Sequence, residues 1–428
     1  MLSIAQKSSP VFDELKFHLE GIKKQEQQDR EILNLNAYDN RVSKTVLSLL
    51  SSNLSQRYDL GTPDTHGCSD PAGMGEFLFK GLPHLYKFEQ AAITAASLMF
   101  GSVTSDFRPL SGMHGMICTL ATLTEPDDVV YSVECDYGGH FATHHVLKRL
   151  GRRPESIPVD INSLSLDLEA FEKKVRRIPP RLVYLDVGCA LYPLPIQDIR
   201  RIVGDETIIV YDASHTQGLI AGGVFQMPLA EGADILQGNT HKTFPGPQKA
   251  MVHFADYKIA KKLADSLTMG LVSSRHTHHS MALYVTLFEM LEFGGQYARQ
   301  TLKNATALGK KLKSSGIGLL ERDGICTQSN VLLINGKTVG GHVDACRRLY
   351  AANIATNSRH AFGKEVIRIG VQELTRRGMN ELEMDVIGGF IKRVIVDKED
   401  PFWIKREVMD FNSLFEDVHY SFDAALGY

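Results

Sequence analysis

Three residues carry the chemistry in this sequence. Lys242 is set in GNTHKTFPGPQKAM, directly after the apolar run ADILQ, with Pro245, Gly246 and Pro247 close behind it. Proline removes a backbone donor and clashes with the preceding helical turn, so no helix passes through and the spacing predicts a rigid turn. A lysine held in a desolvated site loses its charge readily and becomes a nucleophile towards carbonyl carbon. Asp212 ends the apolar run TIIVY, in YDASH. A partly buried carboxylate at a strand end needs a cationic partner or several donors. Arg368, in VIRIGV, lies on a strand-like segment and offers a planar fork that grips a carboxylate bidentately. A nucleophilic lysine, an aspartate that pairs with a pyridinium and an arginine that grips a carboxylate describe a pyridoxal 5'-phosphate site acting on amino acids.

The elements that must position these groups are legible in the pattern. From about Pro83 to Phe254, strand-length apolar runs (DVVYSV, RLVYLDV, TIIVYD, ADILQG) alternate with helical stretches such as FATHHVLKRLG and LPIQDIRRIVG. That alternation predicts a parallel sheet covered on both faces. Ligands bind such sheets outside the carboxyl ends of the strands, where Asp212, Thr240, His241 and Lys242 fall. After about residue 300 the pattern changes to short strands at NVLLING and VIRIGV, with helices at TLKNATALGKKLKSSG, GGHVDACRRLYAAN and NELEMDVIGGFIKRVI. The expected division is a helix and arm over 1–50, a large α/β domain over 51–300 and a small α+β domain over 301–428. In the N-terminal segment Phe12, Leu15, Leu19 and Ile22 recur at helical spacing, so this helix faces either the core or a partner subunit. The tail after Pro401, with the only tryptophan, Trp403, predicts a final helix.

Composition excludes several classes. A formal net charge of -3 gives no electrostatic support for a nucleic-acid partner. No apolar run approaches the roughly 20 residues that span a bilayer. Six scattered cysteines without a CxxC pair and an N-terminus without a signal pattern point to reduced thiols in the cytoplasm. The cluster RHTHHS (His276, His278, His279) invites a metal, but no carboxylate stands near it to complete a site. No metal is expected.

The segments around these residues resemble the serine hydroxymethyltransferase family. THKTFPGPQKA is similar to that family's lysine signature, and YDASHTQGLIAGGVF to its segment D-x-A-H-x-x-GLIA-x-GV. RPLSGMHGMICTLATL, CDYGGHF and IRIGVQELTRRGM resemble its phosphate-loop, GGH and RIG segments, in order along most of the chain. The variants GNTHKT-x-PGPQK and VQ-x-x-TRRGM resemble the threonine transaldolases within it more closely. The resemblance implies a fold-type-I large domain like that of aspartate aminotransferase, a smaller C-terminal domain, and a homodimer or tetramer.

It also implies roles. Lys242 would bind the cofactor covalently, Asp212 would pair with its ring nitrogen, and His215 would lie near its phenolic oxygen. His140 would stack on the ring. Ser111, Gly112 and Met113 would hold the phosphate, helped by Tyr58 across a dimer interface. Thr240 and His241 would flank Lys242, and Arg368 would bind the substrate carboxylate.

Departures from the family pattern are as informative. Leu60 stands where the family has a glutamate used for proton transfer in folate chemistry, and Asp59 is offset from it by one residue. Only His66 occupies the place of a downstream tyrosine pair. Tyr38 replaces a serine, Met113 replaces a phosphate-loop serine, RHTHHSMAL replaces a glycine-rich segment, and Gly188 stands where a cofactor-contacting serine often lies. The cofactor side is kept while the folate side is remodelled. The expected reaction is threonine transaldolation. L-Threonine is cleaved to acetaldehyde and a glycyl carbanion spread into the cofactor, which then adds to a second aldehyde and gives a β-hydroxy-α-amino acid. His140, His66 or a water are candidates for the base at the threonine hydroxyl. The alternatives are a serine or α-methylserine hydroxymethyltransferase, a threonine aldolase, or a non-catalytic cofactor-binding protein. Retention of Lys242, Asp212 and Arg368 together argues against the last.

Overall fold

The computed structural model describes residues 9–59, 72–74, 77–79 and 82–428. Leu60, His66 and Cys68 lie outside them. The central sheet has seven strands: β1 Thr104–Asp106, β2 Val129–Ser132, β3 Arg153–Ser156, β4 Leu182–Leu185, β5 Ile208–Asp212, β6 Ile235–His241 and β7 Pro245–Phe254. Their spatial order is β1-β7-β6-β5-β4-β2-β3. The four runs read as strands are β2, β4, β5 and β6, and they pair in parallel. Every residue of β4 is buried, as a strand covered on both faces requires. The sheet is not wholly parallel, because β7 runs antiparallel to both β6 and β1.

That exception concerns the lysine segment. The prolines do not form the turn itself. Pro245 opens β7, a place where a missing donor costs little, and the turn is the short link Lys242–Phe244. The Thr240 hydroxyl donates to the Pro247 carbonyl at 2.5 Å and clasps the two strands together.

The small sheet comprises β8 Val331–Asn335, β9 Asn357–Ala361 and β10 Lys364–Gly370, in the order β8-β10-β9, all antiparallel. Its apolar core includes Leu332, Ile334, Ile367, Ile369, Ile387 and Ile391. The boundary expected at residue 300 falls inside one helix, Thr277–Ser314, which packs on both cores. It ends before Gly316, whose φ of +81° suits a helix stop. Leu33 and Leu35 join the apolar core beside the small sheet, and Leu33 pairs with Ile354.

Helix Pro10–Glu31 buries no residue. Phe12, Leu15, Leu19 and Ile22 are each about half exposed, so the core-facing reading of this helix does not hold within the chain. The tail forms helix Pro401–Asn412, and Trp403 on it is exposed. Among the described residues no helix is long and apolar enough to cross a membrane.

Candidate active site

Asp212 is the last residue of β5, and Lys242 follows the last residue of β6, the neighbouring parallel strand. Adjacent strand ends therefore bring the two side chains to one cavity of about 520 Å³. The cavity is also lined by Ser111, Gly112, Met113, His140, His215, His241 and Arg368. Ten of the eleven residues singled out in the sequence are thus accounted for as follows: nine line this cavity, and Thr240 is fully buried with its hydroxyl on Pro247. The eleventh, Tyr58, is exposed and hydrogen-bonds Ser273 at 2.8 Å, away from the cavity of its own chain.

The electrostatics of the site follow from burial. Lys242 is pushed down to about 8, chiefly by desolvation, with Asp212 pulling the other way and Arg368 and Arg359 adding to the fall. Burial, and then the nearby Lys242 charge, hold His215 far below the usual histidine range. His215 is therefore a neutral imidazole, and its Nε2 accepts from Lys242 Nζ at 3.0 Å. Burial also lowers His241, to about 4. His140 is lowered by burial too, against the pull of Asp212. Its Nδ1 accepts the Ala142 N–H at 3.3 Å, which leaves the ring proton on Nε2.

Asp212 is fixed by a chain of hydrogen bonds from neighbouring strands. Its Oδ2 accepts from the Tyr184 hydroxyl at 2.8 Å, and its Oδ1 from the Ser214 N–H at 2.9 Å. Gln237 donates to Tyr184 and accepts from Thr119. At the other wall, Ser111 caps helix Gly112–Leu123 by accepting from the His114 N–H. The Gly112 Cα lies so close to β6 that a Cβ there would stand 2.9 Å from the Asn239 Cβ. Only glycine lets that helix start sit on the strand, with its amides open to an anion. Arg368 donates from Nε to Asn357 at 3.0 Å and from Nη1 to the Gly188 carbonyl at 2.8 Å.

The lining residues that the sequence does not single out include Asp186, Asn239, Arg359 and Thr143. Asp186 follows β4 as Asp212 ends β5, so the strand-end rule applied to RLVYLDV finds it. Asp59 does not stand in for the missing glutamate. It is buried and accepts from Arg275 Nε at 2.5 Å. The histidine cluster lies at the start of the long helix. Among the described residues no group of three or more His, Cys, Asp or Glu is arranged to hold a metal ion.

Asp186 carries a pH prediction. Its Oδ2 accepts from Thr143 and the His140 N–H, while the buried Oδ1 has no partner. Burial pushes its carboxyl up to about 7, with the Thr143 hydrogen bond opposing and the Asp212 charge adding. Between roughly pH 4 and 7 the folded chain holds a proton that the unfolded chain has lost, so this group's penalty grows as pH rises through that window. Asp186→Asn removes the penalty. The apoprotein variant is expected to melt above wild type at about pH 8, with a smaller gain at about pH 5. Thermal melts that differ equally at both pH values would contradict the assignment.

An amine whose pKa is lowered by burial, a carboxylate fixed at a strand end, a helix start open to an anion and a guanidinium facing the cavity fit the aldehyde, ring nitrogen and phosphate of pyridoxal phosphate and the carboxylate of an amino acid. With the sheet described above, they define a pyridoxal-phosphate-dependent enzyme of fold type I. The chain belongs to the serine hydroxymethyltransferase family, whose model, described as "Serine hydroxymethyltransferase", matches residues 13–391. It is 36% identical over 407 residues to the fluorothreonine transaldolase of Streptantibioticus cattleyicolor, covering 95% of this chain and 64% of that protein. The chain therefore spans less than two thirds of that relative. It is also 36% identical over 406 residues to the serine hydroxymethyltransferase of Methanocella arvoryzae, covering 92% and 93% of the two chains. The crystal structure of the L-threonine transaldolase from Pseudomonas fluorescens, in its internal aldimine state, superposes with a TM-score of 0.89 at 29% identity, covering 96% and 94% of the two chains. Family and relatives make this chain a pyridoxal-phosphate enzyme that transfers one-carbon or aldol units.

Proposed function

We propose that the chain is an L-threonine transaldolase, which moves a glycyl unit from L-threonine to a second aldehyde. The observation that carries the reading is Leu60, a side chain unable to transfer protons, at the position of the family's folate-side glutamate. Asp59 beside it is committed to Arg275. Likeness to two transaldolases supports the same reading.

When bound, pyridoxal phosphate supplies an electron sink conjugated to the amino acid's Cα. The residues around it would act as follows. Lys242, its amine poised near 8, attaches the cofactor and yields its place to the incoming amino group. Asp212, held by Tyr184 and Ser214, keeps the ring nitrogen protonated. His215 stands beside Lys242 and the phenolic side of the ring, and His140 covers the ring face. Ser111, Gly112 and Met113 present the helix start to the phosphate, with Asn239 against them. Arg368 takes the amino-acid carboxylate, and the Tyr38 ring, 5.9 Å from its guanidinium carbon, shields that pair from water. Tyr58, exposed on its own chain, serves the partner's site in a homodimer.

The experiment is incubation of the holoenzyme with L-threonine and a panel of aldehydes. Acetaldehyde and a new β-hydroxy-α-amino acid are expected in equal amounts, dependent on the added aldehyde. Glycine accumulating in place of the new amino acid would make the chain a threonine aldolase. The hydroxymethyltransferase reading is favoured by the Methanocella relative, which is equally identical and matches along nearly its whole length.

A further inference from the structure

We infer that the cavity contains a second anion subsite, centred on Arg359, and that the acceptor aldehyde carries a carboxylate or phosphate group. The choice of an aldehyde rests on the transaldolase reading above; the subsite rests on geometry alone.

Arg359 and Arg368 lie on paired strands. Asn357 stands opposite Arg368, and Arg359 is two residues further along β9, so both side chains leave the same face of the sheet. Three backbone carbonyls fix the Arg359 fork. Its Nε donates to His360 O at 3.1 Å, and its Nη2 to Gly139 O at 3.0 Å and Cys135 O at 3.3 Å. Nη1 is left to face the cavity.

Gly188 marks where it points. A Cβ there would stand 3.2 Å from Arg359 Nη1, 3.5 Å from His215 Nε2 and 3.6 Å from Arg368 Nη1. Three nitrogens thus converge on a space that the absence of a side chain keeps open. The same glycine that removes a hydroxyl from the cofactor side makes room there.

Charge decides what fills it. Both guanidiniums stay cationic at any physiological pH. Their hydrogen-bond partners are neutral: carbonyls for Arg359, a carbonyl and the Asn357 amide for Arg368. One amino-acid carboxylate matches one arginine. The Asp212 carboxylate is engaged by Tyr184 and Ser214. Arg359, a second cation lining the cavity with His140, is then matched by an oxyanion on the other substrate. Both arginines line this one cavity, of about 520 Å³.

The test uses holoenzyme saturated with glycine, which occupies the amino-acid position and has no carbon–carbon bond to cleave. Calorimetry compares 4-methylbenzoate with the neutral 4-methylbenzamide. The anion is expected to bind about ten-fold tighter or more, the scale of one hydrogen bond to a charged group. Arg359→Gln should erase the difference, and Arg359→Lys should keep part of it. Retained cofactor absorbance and glycine affinity certify that each variant is folded. Substituting 4-methylphenyl phosphate tells a phosphate from a carboxylate, and tighter binding of either than of the amide supports the subsite. In turnover with L-threonine, 4-formylbenzoate should exceed benzaldehyde about ten-fold in kcat/KM, a ratio that collapses in Arg359→Gln. Equal affinity of wild type for anion and amide overturns the inference, and this arm needs no variant. So does displacement of the anion by glycine, which would mean that both arginines clamp one carboxylate. If no aldehyde turns over, the transaldolase reading fails while calorimetry still decides the subsite.

Discussion

Lys242→Ala is expected to abolish covalent attachment of the cofactor and to cut threonine turnover on the order of 10²–10⁴-fold, the range a positioned proton-transfer group supplies. The expectation follows from where the lysine is held. The link Lys242–Phe244 is tied at both ends, by the Thr240–Pro247 bond and by Asn40 donating to the Lys242 carbonyl at 2.5 Å. The amine therefore enters the cavity from a fixed backbone. With the amine near 8, roughly one molecule in ten carries it unprotonated at pH 7, against fewer than one in a thousand for an ordinary lysine. Attachment of cofactor to apoprotein should accordingly quicken as pH rises towards 8 and level off above it. Borohydride reduction followed by peptide mapping checks the site. A label on Lys249, a buried lysine pushed by burial and Arg275 to about 7, would overturn the assignment.

Arg368→Lys should raise the threonine KM roughly 10- to 100-fold, from the ~1.5–3 kcal/mol of a hydrogen bond to a charged group. Lysine keeps the charge but loses the fork. Arg368 already spends Nε on Asn357 and Nη1 on Gly188, so only a planar group with a further nitrogen can hold the strand and the loop and still reach a substrate. Cofactor absorbance should be nearly unchanged. An unaltered KM for threonine would make Arg368 a structural strut between the small sheet and the Gly188 loop.

How far the sequence disclosed these groups depends on how each is positioned. Asp212 and Lys242 were legible because strand ends are visible in apolar runs and parallel neighbours align their ends. Asp186 obeyed the same rule but lacked a motif to draw attention to it. Arg359 left no local signal. Its importance comes from standing two residues beyond the partner of Arg368 in an antiparallel ladder, and registers of that kind are not written in either strand alone. The turn at Lys242 is legible in the spacing, but the place of its prolines is not, since proline tolerates a strand start as well as a turn. The boundary expected near residue 300 is where the sequence pattern changes. Helical periodicity is continuous through Thr277–Ser314, and nothing in it marks the point where one core gives way to the other. The N-terminal helix shows the limit of amphipathicity: spacing identified the helix, but an apolar stripe does not say whether its cover belongs to the same chain.

The most direct test of the central claim sets two reactions side by side with one holoenzyme preparation: L-threonine with an aromatic aldehyde and no folate, and L-serine with tetrahydrofolate. The transaldolase account predicts acetaldehyde release with formation of the new β-hydroxy-α-amino acid in the first. In the second, Leu60 in place of the family's glutamate predicts methylene transfer slower on the order of 10²–10⁴-fold. Efficient methylene transfer from serine to tetrahydrofolate, with threonine left intact, would contradict it.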